Sequence, residues 1–177
     1  MERSFFTVVI PAYGVEKYLR DAVQSIIDQT FSDWELLIVE DGSPDGTGKL
    51  ADELREKDER IRVIHHPEHK GLSEARNTGI DAATGRYIWF MDPDDRVDPD
   101  TLENVYLSLQ ENPSKITVFG HTEEYYDEAG RLNYIHEIRP ERQQFSDKDQ
   151  LRKYVIRLEQ ETVYGYAWNK IYSLDYI

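Results

Sequence analysis

The sequence contains no cysteine and no long apolar run. Without cysteine, a disulfide framework, a thiolate nucleophile and a cysteine-ligated zinc site are all excluded. No stretch approaches the roughly 20 apolar residues of a membrane-spanning helix, and the first residues lack the basic start and apolar core of a secretory signal. We therefore expect this part of the protein to be soluble and cytoplasmic, while peripheral association of the full-length protein with the inner face of the membrane stays open.

Basic residues are also scarce. There are 21 Lys and Arg against 35 Asp and Glu, which gives a formal net charge of −14. No basic stripe is present to replace the counterions of a phosphate backbone, which argues against general nucleic-acid binding. An anionic ligand would need a local cation. A divalent ion about 4 Å from a phosphate charge contributes on the order of 8 kcal/mol before desolvation costs, at an effective dielectric of about 20.

Hydrophobic periodicity predicts one α/β domain in which strands alternate with helices. Apolar residues with helical spacing predict a helix over residues 16–29, and others follow Gly46 and begin near Ser73. We expect Gly85 to end the third helix in the αL conformation, and Asp98 and Pro99 to cap and begin the fourth. The predicted strands are short apolar segments at 6–10, 35–39, 62–64, 87–91 and 116–119. This alternation is the signature of a mostly parallel sheet with helices on both faces.

A different pattern begins near residue 121. Residues 123–127 and 132–138 flank a polar turn, which predicts a β-hairpin on a sheet edge. A helix is expected over residues 147–158. The aromatic segment 165–172 is expected to contain a further strand.

Three of the predicted strands end in chemically distinctive residues. The first runs into Pro11-Ala12-Tyr13, the second into Glu40-Asp41, and the fourth into Asp92-Pro93-Asp94-Asp95. In open α/β sheets, ligands bind beyond the carboxyl ends of the strands. The sequence therefore predicts that these separate motifs form one pocket.

The acidic cluster after the fourth strand predicts a cation site. Crowded carboxylates raise one another's pKa unless a positive group compensates, and Asp92 and Asp94 could hold Mg²⁺ or Mn²⁺ while leaving positions open for diphosphate oxygens and water. The alternative is a structural role, in which the aspartates form turns in the loop and cap the next helix.

Asp41 and Tyr13 are candidates for binding a nucleotide base. A carboxylate at a strand end can accept the N3–H donor of uracil, and an aromatic ring can stack on a base. The structural alternatives are an Asx turn at Asp41 and a plain strand exit at Tyr13.

Lys70 and Arg76 form a candidate anion site, because one precedes a helix and the other lies near its start. Alternatively, Arg76 pairs with the acidic loop, and both roles are compatible. A zinc site is one interpretation of His65, His66 and His69. They lie in a strand-exit loop, however, and no helix fixes them on one face, which favours surface or supporting roles.

Five motifs in a fixed order are the most specific signal in the chain. They are Val8-Val9-Ile10-Pro11-Ala12-Tyr13, residues 29–35, Glu40-Asp41-Gly42-Ser43, Ala75-Arg76-Asn77-Thr78-Gly79 and Asp92-Pro93-Asp94-Asp95. Together they strongly resemble the family 2 glycosyltransferases, inverting enzymes of the GT-A fold, over about residues 5–120. Residues 168–172 are similar to a segment of the branch that builds bacterial capsules, exopolysaccharides and lipopolysaccharide antigens.

The resemblance implies roles for the strand-end residues. It implies that the nucleotide is bound by Pro11, Ala12, Tyr13, Asp41, Arg76 and Asp92, and that the metal ligands are Asp92, Asp94 and Asp95. Asp41 would bind uracil, Arg76 would lie near the diphosphate, and the cofactor would be Mg²⁺ or Mn²⁺. Many relatives have two aspartates where this chain has Glu40-Asp41, a mild departure that leaves Asp41 in place.

The resemblance also implies a reaction. The enzyme would move a sugar from a nucleotide sugar, UDP-sugar by expectation, to a glycan or lipid-linked acceptor in cell-surface polysaccharide synthesis. Residues 1–177 would be one domain, with a nucleotide-sugar-binding half at 1–120 and the start of an acceptor-side half at 121–177. The catalytic base is expected beyond Ile177, so we expect this part of the protein to bind donor but to transfer poorly.

Three rival functions are weaker. A phosphatase with an aspartate nucleophile would carry its Asp-x-Asp on the first strand, whereas here it follows the fourth. A sugar nucleotidyltransferase would have a glycine-rich basic loop where this chain has Pro11-Ala12-Tyr13. A nucleotide-binding module without catalysis stays open, because no base is assigned.

Overall fold

The computed structural model describes residues 3–160 and 165–177, and within them strands and helices alternate as expected. The strands are Phe6–Ala12 (β1), Trp34–Glu40 (β2), Ile61–His65 (β3), Tyr87–Phe90 (β4), Ile116–Val118 (β5), His121–Tyr126 (β6), Leu132–Ile138 (β7) and Lys170–Ser173 (β8). The helices are Leu19–Ile27 (α1), Thr47–Arg55 (α2), Leu72–Ala82 (α3), Thr101–Glu111 (α4) and Lys148–Gln160 (α5), and a 3₁₀ turn spans Leu174–Tyr176.

The main sheet has the strand order β3-β2-β1-β4-β8-β5. β1 pairs in parallel with both β2 and β4, and β2 pairs in parallel with β3. β8 runs antiparallel to β4. β2 and β3 are added in sequence on one side of β1, and β4 is added on the other side. The direction of strand addition therefore reverses between β1 and β4, which makes this position a topological switch point. A crevice at the carboxyl ends of these strands is the expected ligand position in such a sheet.

Both faces of the central strands are buried, since every residue of β1, β2 and β4 is buried. On one face Val9, Leu37 and Phe90 pack around Ala75 of α3. The side chains that alternate with them, such as Ile10 and Ile38, are also fully buried, so the opposite face is covered as well. The predicted mostly parallel sheet with helices on both faces is confirmed.

Glu35 anchors the end of the sheet opposite the carboxyl strand ends. Its Oε1 accepts hydrogen bonds from Thr7 Oγ1 at 2.7 Å, Thr84 N–H at 2.6 Å and Thr84 Oγ1 at 2.8 Å, and its Oε2 accepts one from Arg62 at 3.1 Å. Burial alone would raise the pKa of Glu35, but these donors hold it below the usual value. The network ties three strands and the loop before β4 together.

Two expected helix ends differ from the structure. The helix α4 begins at Thr101, so Asp98 and Pro99 precede it; the side chain of Gln29 caps it instead, accepting the Leu102 N–H at 2.9 Å. Gly85 does not adopt the αL conformation, because α3 ends at Ala82. A Cβ at Gly85 would lie 2.6 Å from the Thr7 backbone nitrogen, so glycine here permits close contact with β1.

The chain divides into two compact units, Met1–Thr117 with Ile171–Ile177, and Val118–Lys170. In the second unit β6 and β7 form the predicted hairpin, with Tyr125 opposite Tyr134. The hairpin is a separate two-stranded sheet, so its expected position on a sheet edge was wrong. Its small core contains Ile138 packed against Val118 and Tyr154.

None of the helices in the described part of the chain is both long and apolar enough to span a membrane.

Candidate functional site

The ends of β1 and β2 are joined directly by backbone. The Asp41 N–H donates to the Ala12 carbonyl at 2.9 Å, and Pro11 pairs with Val39 in the sheet register. Pro11 and Ala12 are buried within the sheet, so they fix the direction in which the chain leaves it. Tyr13 is the first residue after β1, and 45% of it is exposed.

Asp41 is almost completely buried, with 2% of its surface exposed. Its Oδ1 accepts hydrogen bonds from His66 Nδ1 at 2.5 Å and the Lys70 N–H at 3.0 Å. Its Oδ2 accepts one from the Gly71 N–H at 2.8 Å, and His69 Nδ1 lies 2.8 Å from the same oxygen. Burial alone would raise the pKa of Asp41, but these contacts keep it below the usual value, so the carboxylate stays charged.

His66 holds Asp41 from one side. Because a carboxylate only accepts hydrogen bonds, the proton is assigned to Nδ1 of His66, and Nε2 accepts from Thr78 Oγ1 at 2.9 Å. The ring is buried, and both of its nitrogens have partners. His66 is therefore a fixed support for Asp41.

His69 contacts Asp41 from the exposed side. Its ring stacks on Tyr13 with the centroids 3.8 Å apart and the planes 28° from parallel. Its side chain is 48% exposed. Tyr13, His69 and Asp41 therefore form one cluster at the ends of β1 and β2.

Two glycines permit the loop around Asp41. Gly42 has a φ of +68°, and a Cβ there would lie 2.7 Å from the His69 backbone nitrogen. Gly71 has a φ of +95°, precedes α3 and donates its N–H to Asp41. A side chain at either position would be strained by the left-handed backbone, and at Gly42 it would also displace the loop that carries His69.

Arg76 connects α3 to the end of β4. Its guanidinium donates to Asp92 Oδ1 at 3.2 Å, which is the pairing expected between Arg76 and the acidic loop. The Nε atom of Arg76 is buried and has no hydrogen-bond partner among the described residues. The Arg76 side chain is 24% exposed.

The carboxylates after β4 influence one another. Burial is the largest cause of the raised pKa of Asp92, with Arg76 opposing it and Asp94 adding to it. Burial, Asp94 and Asp92 together raise the pKa of Asp95 to about 6. Crowded and partly desolvated carboxylates of this kind favour a bound cation.

Among the residues that the structure describes, no three acidic or histidine side chains are arranged to hold a metal ion by themselves. Mg²⁺ and Mn²⁺ sites at phosphates need only one or two carboxylates, because phosphate oxygens and water complete the shell. The chemistry of Asp92, Asp94 and Asp95 therefore fits such a metal, with the remaining ligands coming from outside the protein.

Several neighbouring polar residues have structural roles. Glu40 accepts the Ser43 N–H at 2.6 Å and contacts His65 at 3.2 Å, and His65 also contacts Asp52. The contact between Lys70 and Asp41 is made by the backbone N–H. Each histidine of the 65–69 loop thus has acidic or aromatic partners within the protein.

Sequence reasoning assigned His66 and His69 no specific contact. Both reach Asp41 from 25 to 28 residues away in the chain, so local periodicity carries no signal for them. The parallel register does carry one for His66, because β3 pairs His65 with Glu40 and so brings the next residues of both strands together.

A segment of the second unit is held by a buried amine. Lys170 donates to Asn169 Oδ1 at 2.7 Å and to the Tyr166 carbonyl. Burial lowers the pKa of Lys170 to about 8. Lys170 is also the first residue of β8, which confirms a strand in the aromatic segment.

The family model described as Glycosyl transferase family 2 matches residues 7–171. The chain is 32% identical over 169 residues to the uncharacterized glycosyltransferase EpsJ of Bacillus subtilis, covering 96% of the chain and 48% of EpsJ. It is 39% identical over 130 residues to glycosyltransferase GlyA of Streptococcus pneumoniae, covering 73% of the chain and 18% of GlyA. The chain thus spans half or less of the length of these relatives.

The fold is similar to that of S. aureus TarS 1-349, solved in complex with UDP-GlcNAc. The TM-score is 0.70 at 22% identity, and the match covers 96% of this chain and 45% of that one. This similarity confirms the expected GT-A architecture.

Proposed function

Since the chain belongs to glycosyl transferase family 2, we propose that the carboxyl ends of β1, β2 and β4 bind the nucleotide diphosphate of a sugar donor. The observation that carries the proposal is the position of Tyr13, Asp41 and the Arg76–Asp92 pair after three adjacent strands around the switch point. The nucleotide in this proposal is uridine diphosphate: the charged Asp41 can accept the N3–H of uracil, and TarS, whose fold is similar, was solved in complex with UDP-GlcNAc.

Tyr13 and Asp41 recognise the base in this proposal. Tyr13 provides a half-exposed ring for stacking, and Asp41 provides an acceptor held rigidly by His66 and by two backbone N–H groups. Pro11 and Ala12 set the position of Tyr13. Cytosine has no hydrogen on N3, so an acceptor at this place discriminates against it.

In this proposal Arg76 and the metal held by the acidic cluster bind the diphosphate. The guanidinium and its unpartnered Nε lie beside Asp92, where they offset negative charge. Asp92, Asp94 and Asp95 would hold Mg²⁺ or Mn²⁺. When bound, the metal would neutralise the diphosphate leaving group. This local compensation is needed because the protein carries a net charge of −14.

The reaction we propose is an inverting sugar transfer. An acceptor hydroxyl oxygen bonds to the anomeric carbon as the bond from that carbon to the diphosphate breaks, and a carboxylate base takes the hydroxyl proton. We place this base beyond Ile177. The acceptor is a glycan or lipid-linked glycan of bacterial cell-surface polysaccharide synthesis, as the names of relatives such as the putative teichuronic acid biosynthesis glycosyltransferase TuaG of Bacillus subtilis suggest.

Calorimetric titration of UDP with and without Mn²⁺ tests this site. We expect Mn²⁺ to tighten UDP binding by at least about tenfold, or about 1.4 kcal/mol, in the wild-type chain. Asp94→Ala should lose this gain, whereas Asp81→Ala, at an exposed position of α3, should keep it. A full metal-dependent gain in Asp94→Ala would show that the metal is held elsewhere.

A further inference from the structure

The His69 side chain makes both contacts that the proposed function assigns to the nucleotide base. Its ring stacks on Tyr13 at a centroid distance of 3.8 Å, and its Nδ1 lies 2.8 Å from Asp41 Oδ2. We infer that His69 occupies the base subsite in the free protein, and that a nucleotide binds only when this side chain rotates out. The inference rests on the proposed function, since it concerns the same subsite.

The hydrogen bonds of Asp41 support this exchange. A carboxylate has about four lone-pair positions. His66 and the Lys70 N–H donate to Oδ1, and the Gly71 N–H donates to Oδ2. His69 Nδ1 lies 2.8 Å from the same Oδ2 and contacts the Asp41 backbone carbonyl at 3.4 Å, so its ring covers the lone-pair position of Oδ2 that the backbone leaves unused. Removal of the ring would make that position accessible to a ligand. Uracil offers one donor at N3, which matches that single position.

The ring stack leads to the same conclusion. A base stacked on the face of Tyr13 that His69 covers would occupy the space of the imidazole, because the ring centroids are already at stacking distance. The histidine and the base therefore compete for one aromatic face as well as for one acceptor.

Of the two histidines beside Asp41, His69 is the one whose side chain can move. Its side chain is 48% exposed, whereas that of His66 is 5% exposed and has both nitrogens hydrogen-bonded. The backbone at His69 packs tightly on Gly42, where a Cβ would lie 2.7 Å from the His69 nitrogen. Rotation about the side-chain bonds of His69 would therefore open the subsite without moving the loop.

Competition of this kind lowers the apparent affinity for the nucleotide by the fraction of molecules in which the subsite is open. Removing the imidazole should remove the competition. The Asp41 acceptor and the Tyr13 ring stay in place, because Asp41 keeps its three hydrogen-bond donors. His69 thus tunes the affinity for the sugar donor, since the base binds only when it displaces the imidazole from Tyr13 and Asp41.

Titration of UDP in the presence of Mn²⁺ tests the inference with His69→Ala and the control His136→Ala, an exposed histidine of the hairpin. Loss of a contact of ordinary hydrogen-bond strength should make UDP binding about three- to tenfold tighter in His69→Ala. His136→Ala should bind UDP as the wild type does. Equal or weaker UDP binding by His69→Ala would overturn the inference, and weaker binding would assign the ring to the wall of the base site.

Proton NMR of the His69 ring gives a second measurement that does not depend on a variant. The Tyr13 ring current should shift the His69 ring protons upfield in the free protein, and saturation with UDP and Mn²⁺ should abolish this shift. Persistence of the shift in the complex would overturn the inference while leaving the proposed function intact. Absence of any UDP binding by the wild type would instead overturn both.

Discussion

Asp41 organises the candidate site at the scale of single residues. A nearly buried carboxylate is costly unless it is hydrogen-bonded, and here the donors are His66 and the backbone before α3, with His69 Nδ1 close to Oδ2. These contacts fix the conformation of the 65–71 loop as much as they hold the carboxylate. The same residue therefore supports the loop and supplies the acceptor for the proposed base.

Substitution of Tyr13 by alanine should weaken UDP binding by about tenfold, because stacking of a base on an aromatic ring contributes about 1–3 kcal/mol and release of His69 offsets part of the loss. Folding should be unaffected, since the ring is half-exposed. Calorimetry with Tyr18→Ala, a similarly exposed tyrosine outside the site, provides the control. Unchanged UDP affinity in Tyr13→Ala would remove Tyr13 from the base site.

Glu35 should make folding stability depend on acid pH. Its pKa is lower in the folded protein than in the unfolded chain, so its contribution is fully present above about pH 4.5 and is lost as the pH falls through the folded value. Glu35→Gln should be less stable by about 1–3 kcal/mol at pH 7, because the donors around it lose their charged acceptor. It should also lose less stability than the wild type between pH 5 and pH 3.

Urea unfolding at several pH values measures both effects. Glu59→Gln, at an exposed position, should reproduce the wild-type pH dependence. A Glu35→Gln variant with wild-type stability at pH 7 would mean that the Glu35 network contributes nothing to folding.

At the scale of secondary-structure elements, α3 connects the two halves of the site. The backbone at its start binds Asp41, and Arg76 in the helix reaches Asp92. Gly79, near its end, lies on β1, where a Cβ would approach Val9 Cγ1 to 2.4 Å. The position of this helix therefore sets the separation between Asp41 and Asp92, which the proposal assigns to the base and to the diphosphate.

Gly79→Ala should destabilise the protein by about 1–3 kcal/mol, because overpacking against Val9 outweighs the better helix propensity of alanine. Combining it with Val9→Ala should relieve the overlap, so the double variant should lose less stability than the two single variants together. Denaturant unfolding of the four proteins in the cycle measures this coupling. Strict additivity would show that Gly79 and Val9 do not constrain each other.

The sequence predicted the elements whose signals are local. β1, β2 and β4 are mostly apolar segments, and their buried pairing follows from the alternation with helices. The cap of α4 was mispredicted, because Gln29 reaches Leu102 across 73 residues. The contacts of His69 were missed for the same reason, since they depend on how the 65–71 loop folds back onto Asp41.

At the scale of the whole molecule, charge and topology together determine the proposed activity. The residues of the proposed site follow strands on both sides of the switch point between β1 and β4, and the net charge of −14 means that an anionic ligand needs local positive charge. The order of the strand-end motifs predicted that these residues follow neighbouring strands, which the sheet confirms, and their roles in binding stay predictions. The sugar and the acceptor depend on surfaces that short motifs do not describe.

Residues 1–177 should bind UDP-sugar but transfer sugar poorly, since we place the catalytic base beyond Ile177. Turnover by this chain, compared with a version extended at its carboxyl end, measures this with a radiolabelled donor and a lipid-linked acceptor. Robust transfer by residues 1–177 would contradict the placement of the base. Donor binding without transfer by the extended version would favour a nucleotide-binding module without catalysis.

The most direct test of the account is the electron density of crystals grown with UDP and Mn²⁺, with the metal located by its anomalous signal. We predict uracil stacked on Tyr13 with N3 at Asp41, the His69 ring rotated away, and the Mn²⁺ peak at Asp94 between the protein and the diphosphate. Nucleotide density on a surface distant from Tyr13 and Asp41, or a metal peak away from Asp94, would contradict it.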